Sequence, residues 1–312
     1  LLAIGVGSLQ TVLEKGESED WFATPYISVL TVVTVLSAIA FIWREISTDH
    51  PVVNFRILKY RSFSIGIFTS FALGFALYGS MFIFPVFCQN LLGFSAQQTG
   101  ELLFPGGLAT ICMMPFVGMM LKRGIPAQFM ATLGFIMFFI FSLMLSNSNL
   151  ESGTGDFFWP LIIRGLGMSV LFVPLTTLGI QDLHGKDIGQ GTGLNNMMRQ
   201  LGGSFGIAIL TTMIHVNGGN NRNILLENIN GYNTSFIERK QAYIQGFQGR
   251  GFSAFDAEQM ANRAMEGVVT KQTMLVTYDN IYLLVGIFVL CCIPLVYLQK
   301  FKKNVPIPVD AH

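Results

Sequence analysis

Between Phe157 and Ile214 the chain runs through two apolar segments of membrane-spanning length, FFWPLIIRGLGMSVLFVPLTTLGI and GQGTGLNNMMRQLGGSFGIAILTTMI, joined by a short polar link. Each carries one arginine far inside it. From Phe157 to Gln181 the only charged side chain is Arg164, and from Ile188 to Asn221 the only one is Arg199. A guanidinium near the bilayer centre costs about 2.5 to 3.5 kcal/mol on insertion scales, so it faces a protein-lined or watery interior and is expected to have a partner there. The competing reading is that one of them snorkels to a headgroup, since Arg164 lies only eight residues from the start of its segment. A chain built from such segments has to fold as a helical bundle, because lipid offers no hydrogen bonds to an open backbone.

Composition agrees. Hydrophobic residues make up 51% of the chain and charged ones 12%, about half the usual share in a soluble domain. The net charge is +1, which leaves no bulk electrostatic argument for nucleic acid. Cys88, Cys112, Cys291 and Cys292 sit in apolar runs without a C-x-x-C pair or nearby histidines, so they read as small packing residues and no metal site or cofactor is implied. His50, His184, His215 and His312 are scattered over loops and the tail, with no nucleophile, base and orienting group at a plausible spacing, so no enzyme is expected.

The opening LLAIGVGSLQ has no basic region or cleavage site and reads as the end of a helix, residues 1–13, too short to span. The expectation is therefore the C-terminal part of a longer protein. Full spans follow at 24–43, 64–89, 98–121, 127–145, 157–180, 189–214 and 280–299. The loops rich in Lys and Arg, 44–63, 122–123 and 300–303, all fall on one face if each segment crosses once, and that face is cytoplasmic by the positive-inside rule. The loops 14–20 and 146–156 then lie outside, as does the long stretch 215–271. Within that stretch Ser253 stands three residues before Asp256, a helix start expected to run through Ala264 and on toward the last span. Asn233-Thr234-Ser235 is a weak glycosylation match. Gly202 with Gly206, and Gly189 with Gly193, form small-xxx-small pairs for close helix approach. Pro85, Pro105, Pro115 and Pro174 each remove a helical hydrogen bond and favour kinks.

Five stretches, GVGSLQTVLEKGESEDWF, PVVNFRILKYRSF, GFSAQQTGELLFPGG, RGLGMSVLFVPLTT and GLNNMMRQLGGSFGIAI, together resemble the major facilitator superfamily, specifically the fourteen-helix drug:proton antiporters of the EmrB/QacA type. The resemblance implies an all-α polytopic membrane protein, with 24–43 as a linker helix and 64–299 as the C-terminal six-helix half. It implies a missing N-terminal half of the same protein, and a cytoplasmic tail at 300–312. Lys122 and Arg123 resemble a degenerate second copy of the family's cytoplasmic-loop signature, whereas Glu101 stands where the family commonly has an apolar residue.

The function implied is proton-coupled multidrug efflux by alternating access about a midplane site. Small amphipathic drugs, protons and membrane lipid are the expected partners, and a periplasmic membrane-fusion protein with an outer-membrane channel follows from the resemblance. The location implied is the inner membrane of a bacterium. Candidate pathway residues are Arg164, Arg199, Asn195, Gln89, Tyr78 and Glu101. Asn195 and Arg199 are four apart and share a helix face; for Asn195 and Gln89, interhelical hydrogen bonding is the alternative. A non-transporting receptor or scaffold using the 215–271 loop is the alternative function, and it leaves both arginines without a purpose.

Overall fold

The computed structural model describes residues 1–48, 55–183, 185–228 and 234–299. The tail 300–312, part of the basic loop 44–63, Asn233 of the sequon, and His50, His184 and His312 lie outside the described residues. Ten α-helices are described: α1 Leu2–Lys15, α2 Pro25–Ser47, α3 Arg61–Val86, α4 Ala96–Lys122, α5 Ala127–Leu145, α6 Phe158–Ile180, α7 Lys186–Asn228, α8 Thr234–Gln248, α9 Ala254–Cys291 and α10 Ile293–Tyr297. Among the described residues there is no strand.

The punctuation is local chemistry. Pro25 opens α2 with a fixed φ and no N–H to lose. Ser95 caps α4: its Oγ accepts from Gln98 N at 3.1 Å while Gln98 Oε1 accepts from Ser95 N at 2.8 Å. Gly124, at φ +86°, turns the chain from α4 into α5. Pro85 leaves a carbonyl one turn back without its donor, and the chain relaxes into a π-turn at Phe87–Leu91. α4 stays α-helical through Pro105 and Pro115, and α6 through Pro174.

Six helical segments are long and apolar enough to cross a membrane: Pro25–Ser47, Arg61–Leu91, Ala96–Lys122, Ala127–Leu145, Thr154–Ile180 and Ala254–Tyr297. The expected span 189–214 is not among them, because its glycines, asparagines and glutamines lower the mean hydropathy of α7. This helix packs against α3. At Gly206 an added Cβ would lie 2.7 Å from the Phe75 carbonyl oxygen, and at Gly74 and Gly202 it would run into the backbone carbonyls of Arg199 and Phe71. The two backbones touch, so Gly202 and Gly206 are spent inside this bundle and not on a face left for another half. Gly189 and Gly193 meet nothing within 4 Å.

The core lies between α3, α5, α6 and α9, filled by Phe84, Phe87, Phe135, Phe138, Phe141, Phe157 and Tyr282. Phe157 makes edge contacts with Phe84 at 5.6 Å and Phe87 at 6.0 Å, and Phe87 meets Tyr278 at 5.3 Å. Such pairs contribute about 0.5 to 1.5 kcal/mol each beyond area burial. The first helix pair packs on itself through Gly5 against Ser37 and a Thr34–Ser8 hydroxyl bond of 2.8 Å, and α1 also rests on α7.

The stretch 215–271, read from sequence as an excursion, is helical over its described residues apart from the turn at 249–253. The helix α7 runs on past Ile214 to Asn228, α8 packs back on α9, and α9 starts at Ser253 and continues without a break to Cys291. Ser253 Oγ accepts from Asp256 N at 3.1 Å, which is the expected cap. Arg222–Glu266 at 2.9 Å and Lys240–Glu258 at 3.1 Å tie the three helices together, each worth about 0 to 1 kcal/mol at the surface. The end of the bundle bearing these helices, the turn 16–20 and the π-turn is called the hairpin end below.

Candidate functional site

The helix α6 places Arg164 on its inner face, where it is 9% exposed. Small residues make room for it. The backbones of α4 and α6 touch at Gly106 and Gly165, and Thr110 Oγ1 donates to the Gly165 carbonyl at 2.9 Å. Beside that contact lies a cavity of about 340 Å3 walled by Leu77, Met81, Gly107, Ile111 and Met168, with Arg164 as its one charged lining group. The guanidinium carbon is 5.8 Å from the Phe141 ring centre, and Arg164 Nε has no hydrogen-bond acceptor among the described residues. A guanidinium with an unused donor at an apolar cavity can bind a carboxylate, a phosphate or a polarised oxygen by charge-assisted hydrogen bonds.

Arg199 stands on α7 in a second environment. Its guanidinium lies 4.3 Å from the centre of the Phe172 ring on α6, Nη2 donates to Asn196 Oδ1 at 2.8 Å, and Tyr78 of α3 is its electrostatic neighbour. Stacking on an aromatic face is worth about 0.5 to 2 kcal/mol, more as water is excluded. Gly203, one turn on, accommodates the Tyr78 ring: a Cβ there would come within 2.5 Å of it. So Arg199 and Tyr78 are brought together as a unit. Neither Arg164 nor Arg199 makes an ion pair among the described residues, so the partner each was expected to have is aromatic or amide and not a carboxylate.

The remaining candidates are dispersed. Asn195, 2% exposed, stands one turn before Arg199, like it against α6, where it lies beside Gly179, and its Oδ1 has no hydrogen-bond partner among the described residues. Gln89 is exposed on the π-turn. Glu101 is exposed near the start of α4, its Oε1 accepting from Gln97 Nε2 at 3.0 Å. Lys122 and Arg123 are exposed where α4 ends, at the opposite end of the bundle.

Sequence reasoning missed a buried polar group on α9. Tyr278, Asp279 and Tyr282 fall within about one turn; Tyr282 is 1% exposed, and among the described residues neither its hydroxyl nor the buried Asp279 Oδ1 has a hydrogen-bond partner. Tyr282 is the electrostatic neighbour of both Arg164 and Asp279. Asp279 escaped because it stands one residue before the apolar run that begins at Asn280, and so read as the edge of a span.

A bundle of long apolar helices with guanidinium groups turned into its interior defines a polytopic α-helical membrane protein. The chain belongs to the Major Facilitator Superfamily, whose family model matches residues 12–207. It is 29% identical over 305 residues to the multidrug export protein EmrB of Escherichia coli K12, covering 96% of this chain and 57% of that protein. It is 31% identical over 268 residues to the multidrug export protein EmrB of Haemophilus influenzae, covering 84% and 52%. It is 26% identical over 301 residues to the fatty acid resistance protein FarB of Neisseria gonorrhoeae, covering 96% and 57%. The chain therefore spans a little over half the length of these curated relatives.

Proposed function

We propose that this protein is a proton-coupled multidrug efflux transporter that exports amphipathic organic compounds by alternating access. The observation that carries the reading is Arg164, a guanidinium with an unused donor on the wall of an apolar cavity of about 340 Å3, a size suited to a small organic molecule. The names of the EmrB relatives support export of several drugs, and that of FarB supports amphipathic acids, whose carboxylate Arg164 would bind while the tail lies along Leu77, Met81 and Met168.

In this reading residues 64–299 form one six-helix half of the bundle, with 24–43 as a linker helix. Arg199 and Tyr78 line the pathway, and Asn195 and Gln89 contribute polar edges to it. Glu101 lies at the entrance of the hairpin end. The positive-inside pattern supports a cytoplasmic face at Lys122 and Arg123 and a hairpin end facing outward. The family resemblance supports the cytoplasmic membrane of a bacterium, and a membrane-fusion protein and outer-membrane channel as export partners.

The test is substrate-coupled proton flux with the full-length protein in proteoliposomes. An imposed pH gradient drives accumulation of an amphipathic acid, and Arg164→Met abolishes it while the variant still inserts and elutes as a folded species. Absence of coupled flux in the unmodified protein, or full flux in Arg164→Met, refutes the reading.

A further inference from the structure

The buried cation on α6 has an opposite charge in the same core. Asp279, Tyr282 and Gly286 stand three and four residues apart on α9 and so share one helix face. Gly286 seats that face on α5: a Cβ there would come within 2.8 Å of Ser142 Cβ and 3.0 Å of the Phe139 ring. One residue before Ser142 is Phe141, whose ring centre lies 5.8 Å from the Arg164 guanidinium carbon. The Asp279–Tyr282 face is therefore turned to the junction where α5 and α6 hold Arg164. Four polar atoms there, Ser142 Oγ, Arg164 Nε, Asp279 Oδ1 and Tyr282 OH, are buried with no hydrogen-bond partner among the described residues. In an aromatic core such atoms are costly to keep.

The ionisable groups that face Tyr282 are Cys88 from the π-turn, Tyr278 and Asp279 from α9, and Arg164 from α6. A thiol and a phenol are neutral near pH 7 at their ordinary values, which leaves one cation, Arg164, and one anion, Asp279. Among the described residues the two do not form an ion pair. Tyr282, fully buried, is the neighbour of both. Arg164 lines the cavity of about 340 Å3, and Asp279 is not among its lining residues.

We propose that Asp279 sets the anion affinity of the Arg164 site. Its carboxylate offsets the guanidinium from behind, so the cavity presents directional donors without the full field of an isolated cation. An amphipathic acid is held by the charge-assisted hydrogen bonds of Arg164 and at the same time repelled by Asp279. An uncharged compound of the same shape is little affected by either. Asp279 is thus a specificity-determining residue that acts through charge and makes no contact with the ligand. The inference rests on Arg164 as the anion-binding group of the function proposed above. Its consequence for export is release: affinity is tuned mostly through the rate of dissociation, and an acid bound to an uncompensated buried guanidinium would leave slowly.

The test uses the full-length protein in nanodiscs at pH 8, above the range in which carboxylates ordinarily titrate. Binding of radiolabelled decanoate is followed by scintillation proximity, with empty nanodiscs subtracted, and that of decanamide, its uncharged analogue, by displacement. Asp279→Asn keeps the shape and removes the charge. It should bind decanoate on the order of tenfold more tightly, the size of one charge–charge interaction inside a protein, with decanamide affinity unchanged. A damaged fold does not produce a gain confined to the anion. Arg164→Met should lose decanoate binding, and adding Asp279→Asn to it should restore nothing, since the cycle has lost its other charge. If Arg164→Met binds decanoate as the unmodified protein does, the anion site itself is wrong and the inference falls with it. If Arg164→Met loses binding while Asp279→Asn leaves decanoate affinity unchanged or lowered, the Arg164 site stands and the role of Asp279 is overturned. Equal gains for decanoate and decanamide, or a gain that persists without Arg164, overturn it as well.

Discussion

Replacing Gly206 by alanine tests whether α3 and α7 are locked backbone to backbone. The added Cβ would lie 2.7 Å from the Phe75 carbonyl oxygen and 3.1 Å from its Cα, about 0.7 Å short of the 3.4 Å at which ordinary contact begins. Both obstructing atoms are main chain of a neighbouring helix, so no side chain can swing aside; the helices have to part. Overpacking of this kind is worth about 1 to 3 kcal/mol, against which alanine regains about 1 kcal/mol of helix propensity. The expected net loss is about 0 to 2 kcal/mol, toward the upper end because both obstructing atoms are backbone. Gly193→Ala is the control, since nothing lies within 4 Å of the Cβ it would add, and it should gain up to about 1 kcal/mol on the same scale. Thermal unfolding of the two variants in detergent, followed by loss of the monodisperse elution peak, should therefore move the midpoints in opposite directions. If both move the same way, the close approach is not what holds α7 in the bundle.

Arg199→Ala should lower drug efflux by more than tenfold while lowering stability by about 1 to 3 kcal/mol, the sum expected for one cation–π contact and one hydrogen bond; an unfolded variant or normal efflux refutes its role in the pathway. Arg164→Met should leave thermal stability unchanged or raise it slightly, because an unpaired buried charge is exchanged for a similar apolar volume; a marked drop in midpoint would reveal a structural partner for the guanidinium. Glu101→Gln should weaken export of a cationic substrate more than that of a neutral one, and equal effects count against charge recognition at that residue. Ser95→Ala should cost about 1 kcal/mol through loss of the α4 cap, with no change in transport; a transport defect in a stable variant would give the cap a role beyond stability.

The helices were legible because a span announces itself by composition: a run of about 20 apolar residues has few other fates. That reasoning located α2 to α6 and the cap at Ser253. It did not show how α7 packs. The segment 189–214 reads as a span because it is long and nearly uncharged; its glycines and amides also suit a partner helix, and only the structure shows that the partner is α3. The same limit applies to the site. Arg164 and Arg199 were found as isolated charges, whereas Phe172, Asn196 and Tyr282, which surround them, look ordinary in sequence. Asn195 shares a helix face with Arg199, yet a 100° step per residue puts Asn195 and Asn196 on opposite flanks of it. Pairing of Glu17 with His215, 198 residues apart, is a product of the docking of α1 on α7, which no local pattern encodes.

The length of α7 carries a mechanical consequence. Its 43 residues extend about 65 Å at 1.5 Å per residue, roughly twice the hydrocarbon thickness of a bilayer. The helix is therefore a mast stepped in the bundle at Gly202 and Gly206, with α8 and α9 lashed to its upper part by Arg222–Glu266 and Lys240–Glu258. A tilt of 5° about the glycine seat would carry a point 35 Å along it through about 3 Å. Movements too small to resolve beside Arg199 are thus magnified where α8 turns into α9, and a probe pair spanning that turn and the Leu145 end of α5 would read the tilt of the bundle.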